Sequence, residues 1–160
     1  MTGSCNPSSI AATWLQKFDR ELAGGKVIRA KGNYDLNGVY TDWRANVGLS
    51  WARDALAAGL NMRFINGFKE CQFNDCQVDS SDPEAVEPIS RMVRDYYTFD
   101  ANVAYDLELK SGTAGAQLGV NNLFNTKPAL VANGFLASSD ASTYDYMGRY
   151  FYLRLTYNYY

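Results

Sequence analysis

A strict alternation of apolar and polar side chains recurs along the chain, and it restricts the fold more than any other feature. In WRANVGLSW, from Trp43 to Trp51, apolar residues take every second position. Successive side chains of a β-strand point to opposite faces, so this period of two predicts a strand with one apolar and one polar face. A second such run, Leu56 to Phe64, follows a short polar turn at Arg53 and Asp54. The two runs predict a hairpin.

Further alternating runs raise the number of predicted strands to about six. Residues 99–107 and 114–120 alternate on either side of the turn KSGT, which predicts a second hairpin. The last strand is predicted within RYFYLRLTYNYY, Arg149–Tyr160, whose alternation ends the chain. The segment Ser8–Phe18 fits either another strand or a short amphipathic helix. Long connections without this period are predicted at about 20–42, 67–90 and 125–147.

Composition argues against several classes of protein. The net charge is −2 and acids and bases are mixed, so no nucleic-acid partner is expected. The chain has no histidine, which removes the commonest general base and zinc ligand, so we predict a non-enzyme with no catalytic residue, metal or cofactor. No apolar run is long enough for a membrane helix. The segment MTGSCNPSSI lacks the basic and apolar regions of a secretory signal.

The predicted connections are asymmetric. Short turns near residues 53 and 111 alternate with the three long loops, so all long loops fall at one end of the sheet. Soluble sandwiches usually have short connections at both ends, whereas outer-membrane barrels combine tight periplasmic turns with long outer loops. The apolar faces are also free of charge over nine or ten residues, which is enough to cross a bilayer when the strand is tilted.

Two C-terminal segments carry a resemblance to a known family. LGVNNLFNTKP, Leu118–Pro128, and TYDYMGRYFYLRLTYNYY, Thr143–Tyr160, resemble the C-terminal end of a TonB-dependent outer-membrane receptor. ECQFNDC and WRANVGLSW extend the resemblance to roughly residues 10–160. It implies an all-β fold of antiparallel, up-and-down transmembrane β-barrel strands, here about six in a partial barrel. Residues 1–160 would then be the C-terminal portion of a barrel of about 22 strands whose N-terminal plug domain is absent.

The resemblance also implies a function and a location. Such a chain is part of an outer-membrane transport receptor that takes up a scarce ligand, such as an iron chelate, cobalamin or a saccharide. Its expected location is the bacterial outer membrane, and its expected partners are membrane lipid and the barrel-insertion machinery. TonB would be contacted only through the missing N-terminal region. We expect no transport by this chain alone.

The last strand has an expected lipid-facing side that also serves as the insertion signal. Its residues are Phe151, Leu153, Leu155, Tyr157 and Tyr159. Tyr160 follows as an extra aromatic out of phase, one residue beyond the position where the family signal ends. The charged residues expected on the polar faces of the strands are candidates for the lumen wall, where they contact plug or substrate or are ordinary solvated residues: Arg44, Arg63, Asp100, Asp106 and Arg154.

Cys71 and Cys76 enclose QFND in a loop that the resemblance puts outside the cell. Thiols oxidise there, so we expect a disulfide, with free thiols as the alternative and Cys5 left over. The acidic residues of this loop lack the spacing and glycine of a calcium loop and are expected to be solvated: Glu70, Asp75, Asp79, Asp82, Glu84 and Glu87.

Two other protein classes remain open from the sequence. One is a small self-contained outer-membrane barrel or adhesin, which needs at least eight strands and a signal peptide. The other is a soluble β-sandwich with a binding role, in which the apolar faces cover each other.

Overall fold

The computed structural model describes residues 4–21, 23, 25, 27–35, 38–71, 76, 88–132, 134 and 138–159 of the 160-residue chain. Throughout this part of the chain the fold is all-β, without helices. In chain order the strands are β1 (Ser4–Trp14), β2 (Asp19–Glu21), β3 (Val27–Arg29), β4 (Tyr34–Asp35), β5 (Gly38–Val39), β6 (Trp43–Arg53), β7 (Leu56–Ile65), β8 (Phe68–Cys71), β9 (Ser90–Val93), β10 (Tyr96–Leu109), β11 (Gly112–Asn121) and β12 (Tyr150–Tyr159).

The six longest strands form one antiparallel sheet in the order β1-β6-β7-β10-β11-β12. Because this order follows the chain, the sheet is up-and-down, and the fold class predicted from the alternation is confirmed. The N-terminal segment is a strand and not an amphipathic helix. It covers Ser4–Trp14 instead of Ser8–Phe18, and its pairing with β6 is interrupted by an irregularity between Asn6 and Ser9.

Two tight turns lie at one end of the sheet, termed the turn end. They are Asp54–Ala55 between β6 and β7 and Lys110–Ser111 between β10 and β11. Asp54 has a φ of 52°, in the left-handed region that aspartate tolerates better than most residues. The opposite end is termed the loop end and carries the three long connections, residues 15–42, 66–95 and 122–149.

The long connections contain short ladders that the alternation did not predict. β2 pairs with β3, β4 with β5 and β8 with β9, each in antiparallel fashion. The prediction of irregular loops at 20–42 and 67–90 is therefore wrong for these residues. Strands of two to four residues are too short to show a period of two, so the turn-rich composition around them dominated the prediction.

Most buried apolar side chains lie at the loop end, where the connections pack together. They come from all three connections and from the ends of β7 and β10: Tyr34, Val39, Ile65, Phe68, Val93, Tyr96, Ala129, Val131 and Tyr144. We term this packed unit the cap. Ile65 and Tyr96 pair with each other in the sheet, and Ile65 also pairs with Arg44. Paired residues share a face, so the cap covers the face that carries Arg44.

Candidate functional site

One face of the six-stranded sheet is apolar from edge to edge, and we term it the apolar face. The strand registers bring alternate, uncharged residues of all six strands together on it: Ile10, Ala12, Trp14, Trp43, Ala45, Val47, Leu49, Trp51, Leu56, Ala58, Leu60, Met62, Phe64, Tyr97, Phe99, Ala101, Val103, Tyr105, Leu107, Leu109, Ala114, Ala116, Leu118, Val120, Phe151, Leu153, Leu155, Tyr157 and Tyr159. Arg53, beside the first tight turn, is in phase with this face and ends it on β6.

Most large side chains of the apolar face are exposed, and the others are half-buried. Leu49 is 52% exposed, Leu118 54% and Leu155 72%, although each lies well inside its strand. A soluble sheet normally buries such a face under a second layer, and apolar patches of this extent mark a surface that contacts a partner or lipid. The described residues provide no second layer, because the small ladders pack at the loop end.

Aromatic residues bound the apolar face on three strands. Trp43 and Trp51, Tyr97 and Tyr105, and Phe151 and Tyr159 are each eight residues apart on one strand. At about 3.3 Å per residue, each pair spans about 26 Å along its strand. Mostly aliphatic and small side chains fill the interval. The result is an apolar band with an aromatic row at each end.

The band runs obliquely across the strands. Trp51 lies level with Leu153 when the pairing is followed through β7, β10 and β11, but Tyr159 is six residues further along β12. Six residues correspond to about 20 Å, and the four intervening strand spacings to about 19 Å. Within the sheet, the strands are therefore tilted by about 45° from the direction perpendicular to the long axis of the band.

The loop-end aromatic row is tied together by contacts between neighbouring strands. Trp14 and Trp43 stack with ring centroids 5.7 Å apart, and Phe64 and Tyr97 stack at 6.2 Å. The Lys31 ammonium lies 5.8 Å from the centroid of the Trp14 ring, within the range of a cation–π contact. The residues of this row were found by the period of two, but their contacts depend on the register.

The opposite, polar face carries all five charged residues proposed for the lumen wall. Arg44, Arg63 and Asp100 lie on the neighbouring strands β6, β7 and β10, in three successive rows of which that of Arg44 is nearest the loop end. Asp106 and Arg154 lie nearer the turn end and line one shallow depression, with Gly115 between their strands. The structure thus groups the five residues in two sets and does not bring them into one site.

Two of these five residues have structural contacts that the sequence did not indicate. Arg44 donates from Nε to Thr41 Oγ1 and from Nη2 to the Val39 carbonyl, both at 3.2 Å, which ties the first connection to the sheet. Asp100 Oδ1 accepts a hydrogen bond from the Asn122 backbone amide at 2.8 Å, where β11 ends. For these two residues a role in holding the loop end accounts for the side chain.

A buried carboxylate joins the second and third connections within the cap. Glu70 is 3% exposed, accepts a hydrogen bond from the Arg91 Nε, and accepts another from the Ala132 amide at 3.2 Å. Arg91 Nη2 also donates to the Leu130 carbonyl at 2.8 Å. The prediction of a solvated acidic loop is therefore wrong for Glu70, whose partners are distant in sequence. The other acidic residues of that loop, from Asp75 to Glu87, lie outside the described residues.

Cys71 and Cys76 form a disulfide in the structure. The S–S distance is 2.02 Å and the Cα atoms are 5.1 Å apart, inside the roughly 7 Å limit for bridging. Cys71 is buried and follows Glu70 directly, so the disulfide closes the chain next to the carboxylate that joins two connections. The side chain of Cys5 lies outside the described part.

The third connection is anchored by Tyr144. Its ring meets Tyr96 edge to face at a centroid distance of 4.9 Å. Burial raises the pKa of the Tyr144 hydroxyl above its ordinary value of 10.0, and the Asp140 carboxylate acts in the same direction. The hydroxyl therefore stays neutral well into the alkaline range.

The five residues predicted to face lipid on the last strand all lie on the apolar face. They are also among its most exposed members, from 53% for Tyr157 to 79% for Tyr159. The Tyr157 hydroxyl donates to the Ser111 carbonyl at 3.1 Å, which links the last strand to the second tight turn. Tyr160 lies outside the described residues.

None of the described segments is a helix long and apolar enough to span a membrane. No group of three or more Cys, Asp or Glu side chains in the described ranges is arranged to hold a metal ion. Comparisons with models of protein families, with curated proteins and with solved structures gave no match to this chain.

Proposed function

We propose that this chain forms part of the wall of an outer-membrane β-barrel. Following the resemblance of its C-terminal motifs, we assign that barrel to a TonB-dependent transport receptor. The oblique, charge-free band between two aromatic rows is the observation that supports the proposal of a membrane wall. Membrane β-strands cross the bilayer with about 9–11 residues at a tilt of about 35–45°, between aromatic girdles. The chain has nine residues from row to row, counted inclusively, and a tilt of about 45°.

The distribution of connections supports an orientation in the membrane. Outer-membrane barrels have short turns on the periplasmic side and long loops outside. Asp54–Ala55 and Lys110–Ser111 then face the periplasm, and the cap faces the exterior on the lumen side of the wall. A disulfide between Cys71 and Cys76 suits this oxidising side.

The polar face then lines the aqueous lumen, and Arg63, Asp106 and Arg154 are wall residues available to a plug or a passing ligand. The ligand class stays as broad as the family implies: an iron chelate, cobalamin or a saccharide. Energy for transport would come from TonB through a region N-terminal to this chain. The barrel-insertion machinery would recognise β12 as the insertion signal. This assignment gives the chain a structural part in transport and no catalytic chemistry.

Exposure of the apolar face favours this assignment over a soluble β-sandwich. In a sandwich Leu49, Leu118 and Leu155 would lie under a second sheet, whereas each is more than half exposed here. A small self-contained barrel would pair β1 with β12, and these two strands are the edges of the sheet.

Tryptophan quenching by brominated lipids tests the proposal, because all three tryptophans lie on the apolar face. Single-tryptophan variants keeping Trp43 or Trp51 are folded into vesicles whose phosphatidylcholine carries bromine at graded depths. Both residues should be quenched, most strongly by shallow bromines, because they lie in opposite aromatic rows. Gln117→Trp, on the polar face of a variant without native tryptophans, is the matched control. It should respond to aqueous acrylamide and little to brominated lipid.

Three outcomes would count against the membrane wall. One is the absence of lipid quenching at Trp43 and Trp51. A second is equal lipid quenching at position 117. The third is a monodisperse monomer that unfolds cooperatively without detergent, which would support the β-sandwich. The isolated chain should conduct no ligand in a liposome uptake assay, since six strands leave two open edges.

A further inference from the structure

The register of the last strand needs an explanation, because its connection does not dictate it. β10 and β11 are joined by a two-residue turn, which fixes their pairing. β11 and β12 are joined by residues 122–149, and a connection of that length absorbs a shift of two residues at small cost. Such a shift keeps every side chain on its own face, so alternation does not oppose it.

The apolar face tolerates shifted pairings equally well. In the structure Leu118 lies opposite Leu153. A shift of two residues in either direction would place Phe151 or Leu155 opposite Leu118, and both are apolar. Lipid or any other apolar surroundings would accept all three pairings. The choice of register must therefore come from contacts elsewhere on the strand.

We infer that three contacts other than the apolar pairing lock β12 in one register: one at the loop end, one on the polar face near the start of β12, and one from Tyr157 to the tight turn at the turn end. They make Asn125, Tyr152 and Tyr157 positioning residues for the last strand. The inference concerns the pairing of β11 and β12 and does not depend on the membrane assignment.

At the loop end the lock joins residues at the end of β11 and just after it to the residues with which β12 begins. Asn125 has a φ of 53°, and its Oδ1 accepts a hydrogen bond from the Arg149 amide at 3.2 Å. Asn121 Nδ2 donates to the Tyr150 hydroxyl, the first pair of the ladder. These bonds join the end of β11 to the start of β12 directly, across the 28 intervening residues of the connection.

Near the start of β12, on the polar face, the lock is steric. Tyr152 lies opposite Gly119, and its ring covers the glycine: a Cβ at position 119 would lie 2.2 Å from the ring carbon Cζ. A two-residue shift would put Tyr152 opposite Asn121 or Gln117. Both carry side chains on that face, so the ring would have to leave the sheet surface.

At the turn end the lock is a hydrogen bond to the second tight turn. The Tyr157 hydroxyl donates to the Ser111 carbonyl at 3.1 Å and lies 2.9 Å from Ser111 Oγ. A two-residue shift would move this hydroxyl by about 7 Å along the strand, beyond hydrogen-bonding distance. Register also decides where Tyr157 and Tyr159 lie and which backbone groups β12 presents at the open edge of the sheet.

Disulfide trapping reports the register. In a Cys5→Ser background, Leu118→Cys is combined with Leu153→Cys for the native pairing, or with Phe151→Cys or Leu155→Cys for the shifted pairings. These positions lie on the apolar face and leave the three contacts intact. The purified full chain is oxidised in detergent micelles, or in buffer if it proves soluble. Only the native pair should cross-link efficiently.

The contacts are then removed with Asn125→Gly, Tyr152→Ala and Tyr157→Phe. Each loss should raise the ratio of shifted to native cross-link about fivefold, and the triple variant on the order of a hundredfold, because well-separated contacts add. Tyr105→Phe deletes a hydroxyl on the same face away from β12 and should leave the ratio unchanged. If the triple variant does not fold, the cross-link ratio of Tyr157→Phe is compared with that of Tyr105→Phe, and only the former should be raised. Shifted cross-links in the parent chain, or an unchanged ratio in the variants that fold, would overturn the inference.

Discussion

Replacing Leu118 by arginine separates a lipid-facing apolar surface from a water-facing one. Leu118 lies on β11, between Val103 of β10 and Leu153 of β12, near the middle of the apolar band. It is 54% exposed, so an arginine meets no steric barrier and the result depends on what surrounds the sheet. In water the substitution of such a residue usually changes stability by less than about 0.5 kcal/mol.

In a bilayer the same change should cost much more. An arginine on the lipid face of a membrane β-barrel costs about 2–4 kcal/mol at the midplane and about 0–1 kcal/mol near the interface. We therefore expect Leu118→Arg to raise the equilibrium constant for unfolding in vesicles by about 30-fold to 1000-fold. The cost should shrink if the arginine is moved to the turn-end aromatic row at Tyr159.

Reversible urea unfolding in phospholipid vesicles, followed by tryptophan fluorescence, measures the difference. Ala104→Arg is the matched control, because Ala104 lies on the polar face of β10, opposite Gln117 and at a similar height. It should change stability by about 0.5 kcal/mol or less. Equal costs at positions 104 and 118, or a neutral Leu118→Arg, would refute the assignment of the apolar face to lipid.

Three further predictions concern the cap. Mass spectrometry after alkylation of the denatured chain should find two more labelled thiols when the sample is reduced first, reflecting Cys71 and Cys76, and an equal count would contradict the disulfide. Glu70→Ala should destabilise the cap by about 1–3 kcal/mol by removing a buried acceptor, seen as faster hydrogen exchange at the Ala132 amide; unchanged exchange would show that the bond contributes little. Because the folded-state pKa of Tyr144 is raised, its contribution to stability is present below pH 10.0 and is lost as pH rises above it, where the unfolded chain ionises. Above pH 10.0 the stability of the cap should fall less steeply with pH in Tyr144→Phe than in the parent chain. Identical slopes would contradict the burial of this hydroxyl.

The main sheet was predictable because its signal is local and repeated. Trp43–Trp51 and Leu56–Phe64 each show the period of two over enough residues to identify a strand, and the short turn between them fixes the partner. Once partners and turns are known, the face of every residue follows. This is why the five charged candidates and the five exposed residues of the last strand fall on opposite faces, as expected.

The cap was not predictable in the same way. β8 has four residues, and Glu70 meets Arg91 and Ala132 across 21 and 62 residues of chain. No local pattern marks such partners, and an acidic residue in a loop is predicted to be solvated unless its partners are known. Asp100 is a similar case, because its partner Asn122 is 22 residues away. The partners of Arg44 are near in sequence, at Val39 and Thr41, but no pattern of residues marks them as partners.

The sequence by itself determined the all-β class, the strands of the main sheet and the separation of its two faces, because side-chain alternation and tight turns act over a few residues. Only the tertiary structure decided the oblique course of the apolar band, the packing of the three connections into a cap and the register of β12. Each of these depends on the relative shift of strands joined by long connections. Such shifts are set by contacts such as Tyr152 on Gly119, which bring together residues far apart in the chain.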